Sequence, residues 1–504
     1  MELNRFVSSL TIGLTALAYI LIRYFGLDAT CLWFDEIYSA HAASHPWGSI
    51  IPFIAQDLIH PPLFYILLKL WIAIGGDGQY WLRLLPVLFS VITIVPFLLI
   101  AKELKLQTWQ KIIALVVFAV NGSLIKYAQE VRMYSLLQLL SLISIWLFVR
   151  YFFKGKSLVP LIIVNVVMVY SHYYGWLVVG SEVVAILIFQ RIKTRSVLLM
   201  MGVCLVSFLP WAISVFRYSV SGIEVGQNIG WISRPGLFHL LQLMFGLFEP
   251  IYYPATSADP FTSLIVSLPV LAIIIAITIL GCAAEAPESN DMLALKLFAI
   301  LVIVPVVAAF AISWVSPYSV WGLRHLIIIF APSSLILGII AGRIDIRGAA
   351  PAFAAIIVGL SSYAFWLQIQ KAAPEHIWCA WGPLATDAAT RNDAPVYAFE
   401  DLVAYHAWYE QNRTLKENAN VTKIDNLEGI KEDTAYFLPR GFDSVKKIPI
   451  QDVAENSIWI LYRDDAPDES KVPVKEFKDR GYKVRERKII QTSNGKAIRL
   501  LLEK

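Results

Sequence analysis

Runs of roughly twenty mostly apolar residues recur along most of this chain, and that is the length an α-helix needs to cross a bilayer. We read such runs near residues 7–27, 81–101, 112–127, 134–150, 157–171, 174–190, 196–216, 262–282, 295–315, 324–341 and 350–369. They make about eleven transmembrane helices, because in hydrocarbon the backbone must satisfy its own hydrogen bonds. Composition agrees: of 504 residues 57% are hydrophobic and only 16% charged. An ordinary soluble chain carries about 25% charged residues. Disordered, fibrous and ordinary cytosolic classes are excluded, and a net charge of +4, thinly spread, offers no footprint for nucleic acid. The first run lacks a small-residue cleavage site before Leu32-Trp33-Phe34, so it reads as an anchor rather than a signal peptide.

About half of the formal charges follow Lys371. This asymmetry divides the chain into a membrane domain, 1–370, and a soluble domain, 371–504. Lys102, Lys105 and Lys111, then Arg150, Lys154 and Lys156, then Arg191, Lys193 and Arg195, then Arg343 and Arg347 gather in short loops. Basic loops face the cytoplasm. With the spans above they share one side with the N-terminus; Glu285, Glu288 and Asp291 fall there too. Segments 28–80 and 217–261 and the C-terminal domain then lie outside; between a bacterial and a secretory-pathway membrane, the short basic loops and small outer domain favour a bacterial plasma (inner) membrane. In the first outer loop Trp47, Ile50, Ile51, Phe53, Ile54 and Leu58 recur at helical spacing, and Leu63 to Ile74 is apolar but too short to span. Both read as interfacial helices. The stretch His239 to Leu247 is a further short apolar run.

Beyond Pro374 the pattern changes to short runs. Pro395 to Phe399, Ala435 to Leu438 and Ile458 to Tyr462 read as buried strands, and Asp401 to Gln411 and Val474 to Arg480 as helices. Tyr482 to Gln491 and Ala497 to Leu502 flank Ser493-Asn494-Gly495 as a hairpin. A small α/β domain follows, without a metal-binding, nucleophile-elbow or phosphate-loop motif. Of the four cysteines, Cys204 and Cys282 sit in apolar runs, whereas Cys31 and Cys379 share the outer side, which leaves a disulfide between them open.

Charges that fall at the outer ends of apolar runs are expensive and point to function. Asp35 and Glu36 follow three large apolar residues; two carboxylates there suit a divalent cation or a general base, or simply a polar loop. His60-Pro61-Pro62 gives a histidine a stiff setting, for a phosphate, a metal or an interfacial turn. Between two apolar runs, Lys126, Glu130 and Arg132 offer an acid and two cations against the basic-inside trend; snorkelling is the plainer alternative. His172, among aromatics that an interface attracts anyway, is a further metal-ligand candidate. Arg324 opens a late run and suits a phosphate or a lipid headgroup. Together these make an outer-surface site for an anionic, lipid-linked substrate.

The order of these motifs resembles the GT-C superfamily of membrane glycosyltransferases, in its family 39-like branch of protein O-mannosyltransferases and aminoarabinose transferases. The landmarks are Asp35-Glu36, His60-Pro61-Pro62-Leu63, Arg83-Leu84-Leu85-Pro86, Tyr127-Ala128-Gln129-Glu130-Val131-Arg132-Met133-Tyr134 and His172-Tyr173-Tyr174-Gly175. After the proline pair the chain departs from the aminoarabinose enzymes, which carry a charged pair there. The resemblance implies an inverting transfer from a polyprenyl-phosphate sugar to a lipid, polysaccharide or protein acceptor at the outer face. It implies Asp35 as base or acceptor-orienting residue, supported by Glu36, with Glu130 at the second acidic position. Lys126, Arg132, Arg324 and His60 would meet the donor phosphate. Asp35, Glu130 and His172 would hold a divalent cation (Mg, Mn or Zn) if one is used; no nucleotide or organic cofactor is implied. Membrane lipids are the expected surroundings. A transporter or flippase of lipid-linked sugars is the alternative from a different class.

Overall fold

The computed structural model describes residues 2–504 apart from 190–193, 222–224, 251–259, 285–288, 345, 347, 371–375, 392, 416–418, 431–443, 466–467 and 493–494. The chain forms two compact units, residues 1–28 with 43–372 and residues 29–42 with 373–504.

The first unit is helical, and each apolar run read from the sequence falls on a helix or a bent helix pair. Among the described residues six helices are long and apolar enough to cross a membrane, or seven if the bent pair Thr108–Val120 and Gly122–Ala128 is one span. The difference from about eleven lies in shorter apolar helices such as Ser9–Tyr24, Val159–Ser171 and Gly175–Ile188. The chain is thus a multi-pass membrane protein. The 58° bend sits at Asn121. Its side chain accepts from Leu124 N (2.9 Å) and donates to the carbonyls of Gly246 (3.1 Å) and Leu247 (3.0 Å), so one residue caps a new helix and ties it to a neighbour. In the first outer loop Trp47–Ala55 and Leu63–Gly75 are helices, as the apolar spacing requires.

Polar groups inside this unit are paired across helices. Arg23, fully buried, donates Nε–H to Ser90 Oγ (2.9 Å) and Nη1–H to the Ala119 carbonyl (3.1 Å), and stacks 3.3 Å over the Tyr19 ring. Glu182, Ser144 and Asn165 close a ring. Ser144 Oγ lies 2.5 Å from both Asn165 Oδ1 and Glu182 Oε1, and Asn165 Nδ2 donates to Glu182 Oε2 at 2.8 Å. One hydroxyl hydrogen cannot serve two oxygens. The ring closes when Glu182 carries a proton, donated to Ser144 with the Asn165 amide as placed or to Asn165 Oδ1 with the amide reversed. Close helix packing explains Gly338 in Phe330–Gly342: a Cβ there would overlap the Gln110 carbonyl oxygen and the Ala114 side chain.

The second unit holds a six-stranded sheet: β1 Val396–Ala398, β2 Val421–Asp425, β3 Lys446–Pro449, β4 Ser457–Asp464, β5 Lys483–Thr492 and β6 Gly495–Glu503, in the order β3-β2-β1-β4-β6-β5. The first four are parallel, and β6 pairs antiparallel with β4 and β5. Central β4 is buried through Ile458-Trp459-Ile460-Leu461-Tyr462, the continuous apolar run of a strand covered on both faces. Edge strand β5 alternates exposure and carries Lys483, Arg485, Glu486, Arg487 and Lys488, charges that discourage further pairing. Helices Ile377–Arg391 and Asp401–Leu415 flank the sheet; the first, like β2 and β3, is not evident in the sequence. The strand expected at 435–438 lies outside the described residues.

Segment 29–42 belongs to this unit for visible reasons. Cys31 and Cys379 form a disulfide. Phe34 packs against Tyr405 (5.6 Å between ring centroids), and His41 Nδ1 lies 2.7 Å from Tyr405 Oη.

Candidate functional site

In the first unit the proline pair turns the chain between helices Trp47–Ala55 and Leu63–Gly75. Just before it, Leu58 adopts a left-handed conformation (φ 64°), which costs a branched, buried side chain free energy. Tyr173 Oη holds that turn by donating to the Leu58 carbonyl (3.2 Å), and Trp211 Nε1–H donates to Tyr173 Oη (3.1 Å). Asn228 Nδ2–H donates to the Asp57 carbonyl (2.5 Å) and approaches its Oδ1 (3.3 Å). The strained turn aims Asp57 at His60: Oδ2 lies 2.6 Å from Nδ1. On its far side His60 Nε2 lies 2.9 Å from Nη2 of Arg132, whose Nη1 approaches Tyr65 Oη at 3.5 Å.

Hydrogen counting fixes the states. A guanidinium only donates, so His60 Nε2 accepts, and its proton sits on Nδ1 facing the carboxylate. His60 is a neutral bridge between a carboxylate and a guanidinium. Burial pushes the Asp57 carboxyl up to about 7, opposed by the positive charge of Arg132.

Two more imidazoles continue the row. The His172 ring lies 6.1 Å from His60 and 5.5 Å from His325, which also contacts Tyr134 (6.3 Å) and Tyr174 (5.3 Å). Burial holds His172 well below the usual imidazole range, reinforced by His60, Arg132 and Arg324, so it is neutral. Its Nδ1 accepts the Tyr174 backbone N–H (3.0 Å), leaving the proton on Nε2. His325 lines a cavity of about 360 Å³ with Arg324, Trp231, Trp321, His239 and Gln242. The Arg324 guanidinium lies 5.5 Å over the Trp231 ring. Arg132 and Arg324 therefore flank a row of histidines; no acid is among the described lining residues, and Glu130 and Glu249 act on Tyr127 from behind the wall. Positive charge, N–H donors and aromatic walls suit a phosphate-bearing ligand.

Of the residues singled out in the sequence, His60, Arg132, His172 and Arg324 contribute to this row. Lys126 lies 5.6 Å over the Tyr127 ring, and Tyr127 contacts Tyr134 (5.4 Å) and lines the cavity. Glu130 is buried in the turn before Tyr134–Phe152, its carbonyl accepting Arg132 N–H (2.6 Å). Asp35 and Glu36 lie in the second unit, in the first turn of helix Phe34–Ser44, where the helix dipole favours carboxylates. Glu36 is fully buried and its Oε2 accepts the Trp33 N–H (3.2 Å), which makes it the cap of the helix that carries Asp35. Sequence reasoning missed Asp57, His325 and Trp231; the spacing of Asp57, three residues before His60, is the signal that could have found the first.

Among the described residues, no three His, Cys, Asp or Glu side chains are arranged as ligands for a divalent cation. His172 has its Nδ1 lone pair on a backbone N–H and His60 has its Nε2 lone pair on Arg132, so neither presents one to a metal.

Fold and site together define a polytopic membrane protein with a cationic, aromatic-walled pocket at the ends of its helices. By sequence no family model and no curated protein matches. By structure the chain is similar to ArnT from Cupriavidus metallidurans bound to undecaprenyl phosphate, at TM-score 0.59 and 11% identity over 97% of both chains. The apo form of that protein aligns at TM-score 0.59 and 10% identity over 99% of this chain and 98% of that one. The oligosaccharyltransferase AglB from Archaeoglobus fulgidus, in complex with an inhibitory peptide and a dolichol-phosphate, aligns more loosely, at TM-score 0.42 and 12% identity over 81% of this chain and 64% of that one. The near-complete overlap shows that the chain shares the fold of ArnT along almost its whole length.

Proposed function

We propose that the protein is an inverting glycosyltransferase that moves a sugar from a polyprenyl-phosphate donor to an acceptor hydroxyl at the outer face of the plasma membrane. The observation that carries this reading is the pair of arginines, Arg132 and Arg324, around a row of neutral histidines beside a cavity on whose wall Arg324 and His325 lie. Neutral imidazoles leave the positive charge to two fixed guanidiniums, which can take the phosphate before and after it leaves. ArnT, with the same fold over its whole length, is known bound to undecaprenyl phosphate, which supports a lipid-phosphate ligand here. The disulfide between Cys31 and Cys379 supports an oxidising, outer compartment for the second unit.

In this reaction a new bond forms between the acceptor oxygen and the anomeric carbon as the carbon–oxygen bond to phosphate breaks on the opposite face. The polyprenyl phosphate leaves with the electron pair, and the acceptor proton goes to Asp35. Glu130 is the second acid, and Lys126 adds positive charge. The test incubates membranes with a panel of polyprenyl-phosphate sugars and follows each donor by mass spectrometry. Consumption of one donor by the wild type and not by Asp35→Asn is expected. Equal consumption by both removes Asp35 as the base; no consumption of any donor by folded protein removes the reaction.

A further inference from the structure

Asp57 takes no part in the transfer as written, yet it is held by four groups. His60 meets its Oδ2, Asn228 from helix Gly226–Ile229 binds its carbonyl, and Tyr173 and Trp211 lock the next residue in a strained conformation. Only 13% of its side chain is exposed. A buried carboxylate on a strained turn is an expensive feature, and its shortest side-chain contact is the imidazole that leads to Arg132.

We propose that Asp57 is a positioning residue for phosphate recognition, acting through His60 to fix the guanidinium of Arg132. This rests on the donor reading above. The geometry explains why an imidazole stands between the two charges. A carboxylate in direct contact would take two guanidinium donors in a fork and neutralise the group that must meet a phosphate. His60 takes one N–H, at Nη2, and transmits orientation while keeping the opposite charges a ring apart. Tyr65 Oη marks the other side of the guanidinium. The relay works with Asp57 ionised. A protonated Asp57 loses its hold on the Nδ1–H of His60, and the imidazole is free to turn and release Arg132. Because burial pushes Asp57 up to about 7, phosphate affinity rises with pH through neutrality. The groups facing Asp57 across this range are His60 on its own turn, Arg132 from the turn before Tyr134–Phe152, and Asn228 and Tyr173 from their own elements.

The experiment titrates purified full-length protein in detergent with undecaprenyl phosphate, read by tryptophan fluorescence at pH 5.5 and pH 8. Wild type, Asp57→Asn, Arg132→Ala and the double variant form a cycle. The phosphate's own second ionisation, near pH 6, is common to all four and cancels in their ratios. Asp57→Asn is expected to weaken binding about tenfold at pH 8 and less than about twofold at pH 5.5. In the Arg132→Ala background it should cost less than about twofold at either pH, because a residue that acts through Arg132 has nothing left to act on. An equal loss in both backgrounds makes Asp57 merely structural and overturns the relay, while leaving the donor reading intact. Wild type that takes up no undecaprenyl phosphate at either pH overturns the donor reading, and the relay's role with it. His60→Gln, which removes the bridge and leaves both charges, repeats the cycle if Asp57→Asn does not fold.

Discussion

Arg324 offers the sharpest test of where the phosphate sits. Its guanidinium lies over Trp231 at 5.5 Å, on the wall of the cavity of about 360 Å³. The stack holds a long side chain in one plane, so less rotamer freedom is lost when a ligand arrives. A charge-assisted hydrogen bond is worth about 1.5–3 kcal/mol, which corresponds to roughly 10- to 150-fold in affinity. Arg324→Ala should therefore weaken undecaprenyl phosphate binding by about that factor. Arg324→Lys keeps the charge but loses the planar fork and the stack, and a loss of about three- to tenfold is expected. The assay titrates each variant with undecaprenyl phosphate and, in parallel, with undecaprenol, which has the same chain and no charge. The Arg324 effect should appear for the phosphate alone, and shrink as salt is added. An equal loss for both lipids would mean that Arg324 shapes the pocket and does not meet the phosphate.

Two further expectations concern what holds the site rather than what touches the ligand. Cys379→Ser opens the tie from the sheet unit to the segment that carries Asp35, so donor turnover should fall while the protein still elutes as a folded species; full turnover would show that the Phe34 and His41 packing on Tyr405 is sufficient. Glu182→Gln should leave the thermal midpoint unchanged, because an amide reproduces the pattern of a protonated carboxyl toward Ser144 and Asn165. Glu182→Ala, which strands both partners, should cost about 2–4 kcal/mol. A Gln variant as unstable as the Ala variant would mean that Glu182 is ionised.

The sequence made the membrane helices legible because twenty-residue apolar runs have few other uses. His60, Arg132, His172 and Arg324 were legible because charge and imidazole at the ends of such runs are costly. Asp57 was not: one acid on the turn after an amphipathic helix looks like its polar face, and its relation to Arg132 exists only after the chain folds back on itself. β2 was missed for a related reason. Its Lys423 reads as surface, yet it is 3% exposed, with its ammonium 2.6 Å from Asp401 and 2.9 Å from Asp425. Helix Ile377–Arg391 was hidden by Gly382 and Pro383 in its middle. In each case pairing at long range pays for what local chemistry forbids.

The same rule separates the polar groups of the membrane unit into two kinds. Arg23 and the ring of Glu182, Ser144 and Asn165 are closed: their hydrogen bonds end on neighbouring helices, and they hold the bundle together. The row from Asp57 to Arg324 differs in where it leads. His60 is hydrogen-bonded to Asp57 and Arg132, the rings of His172 and His325 continue beside it, and His325 lies on the wall of the cavity. A set of groups built only for stability would gain by closing like the Glu182 ring, since an opening to solvent or lipid adds nothing to packing. Under the donor reading proposed above, the strained Leu58 turn and the costly Asp57 have a use at the end of the row. In the proposed reading, a donor phosphate carrying its own negative charge would complete the electrostatics of Arg132 and Arg324 in the way the Glu182 proton completes the closed ring.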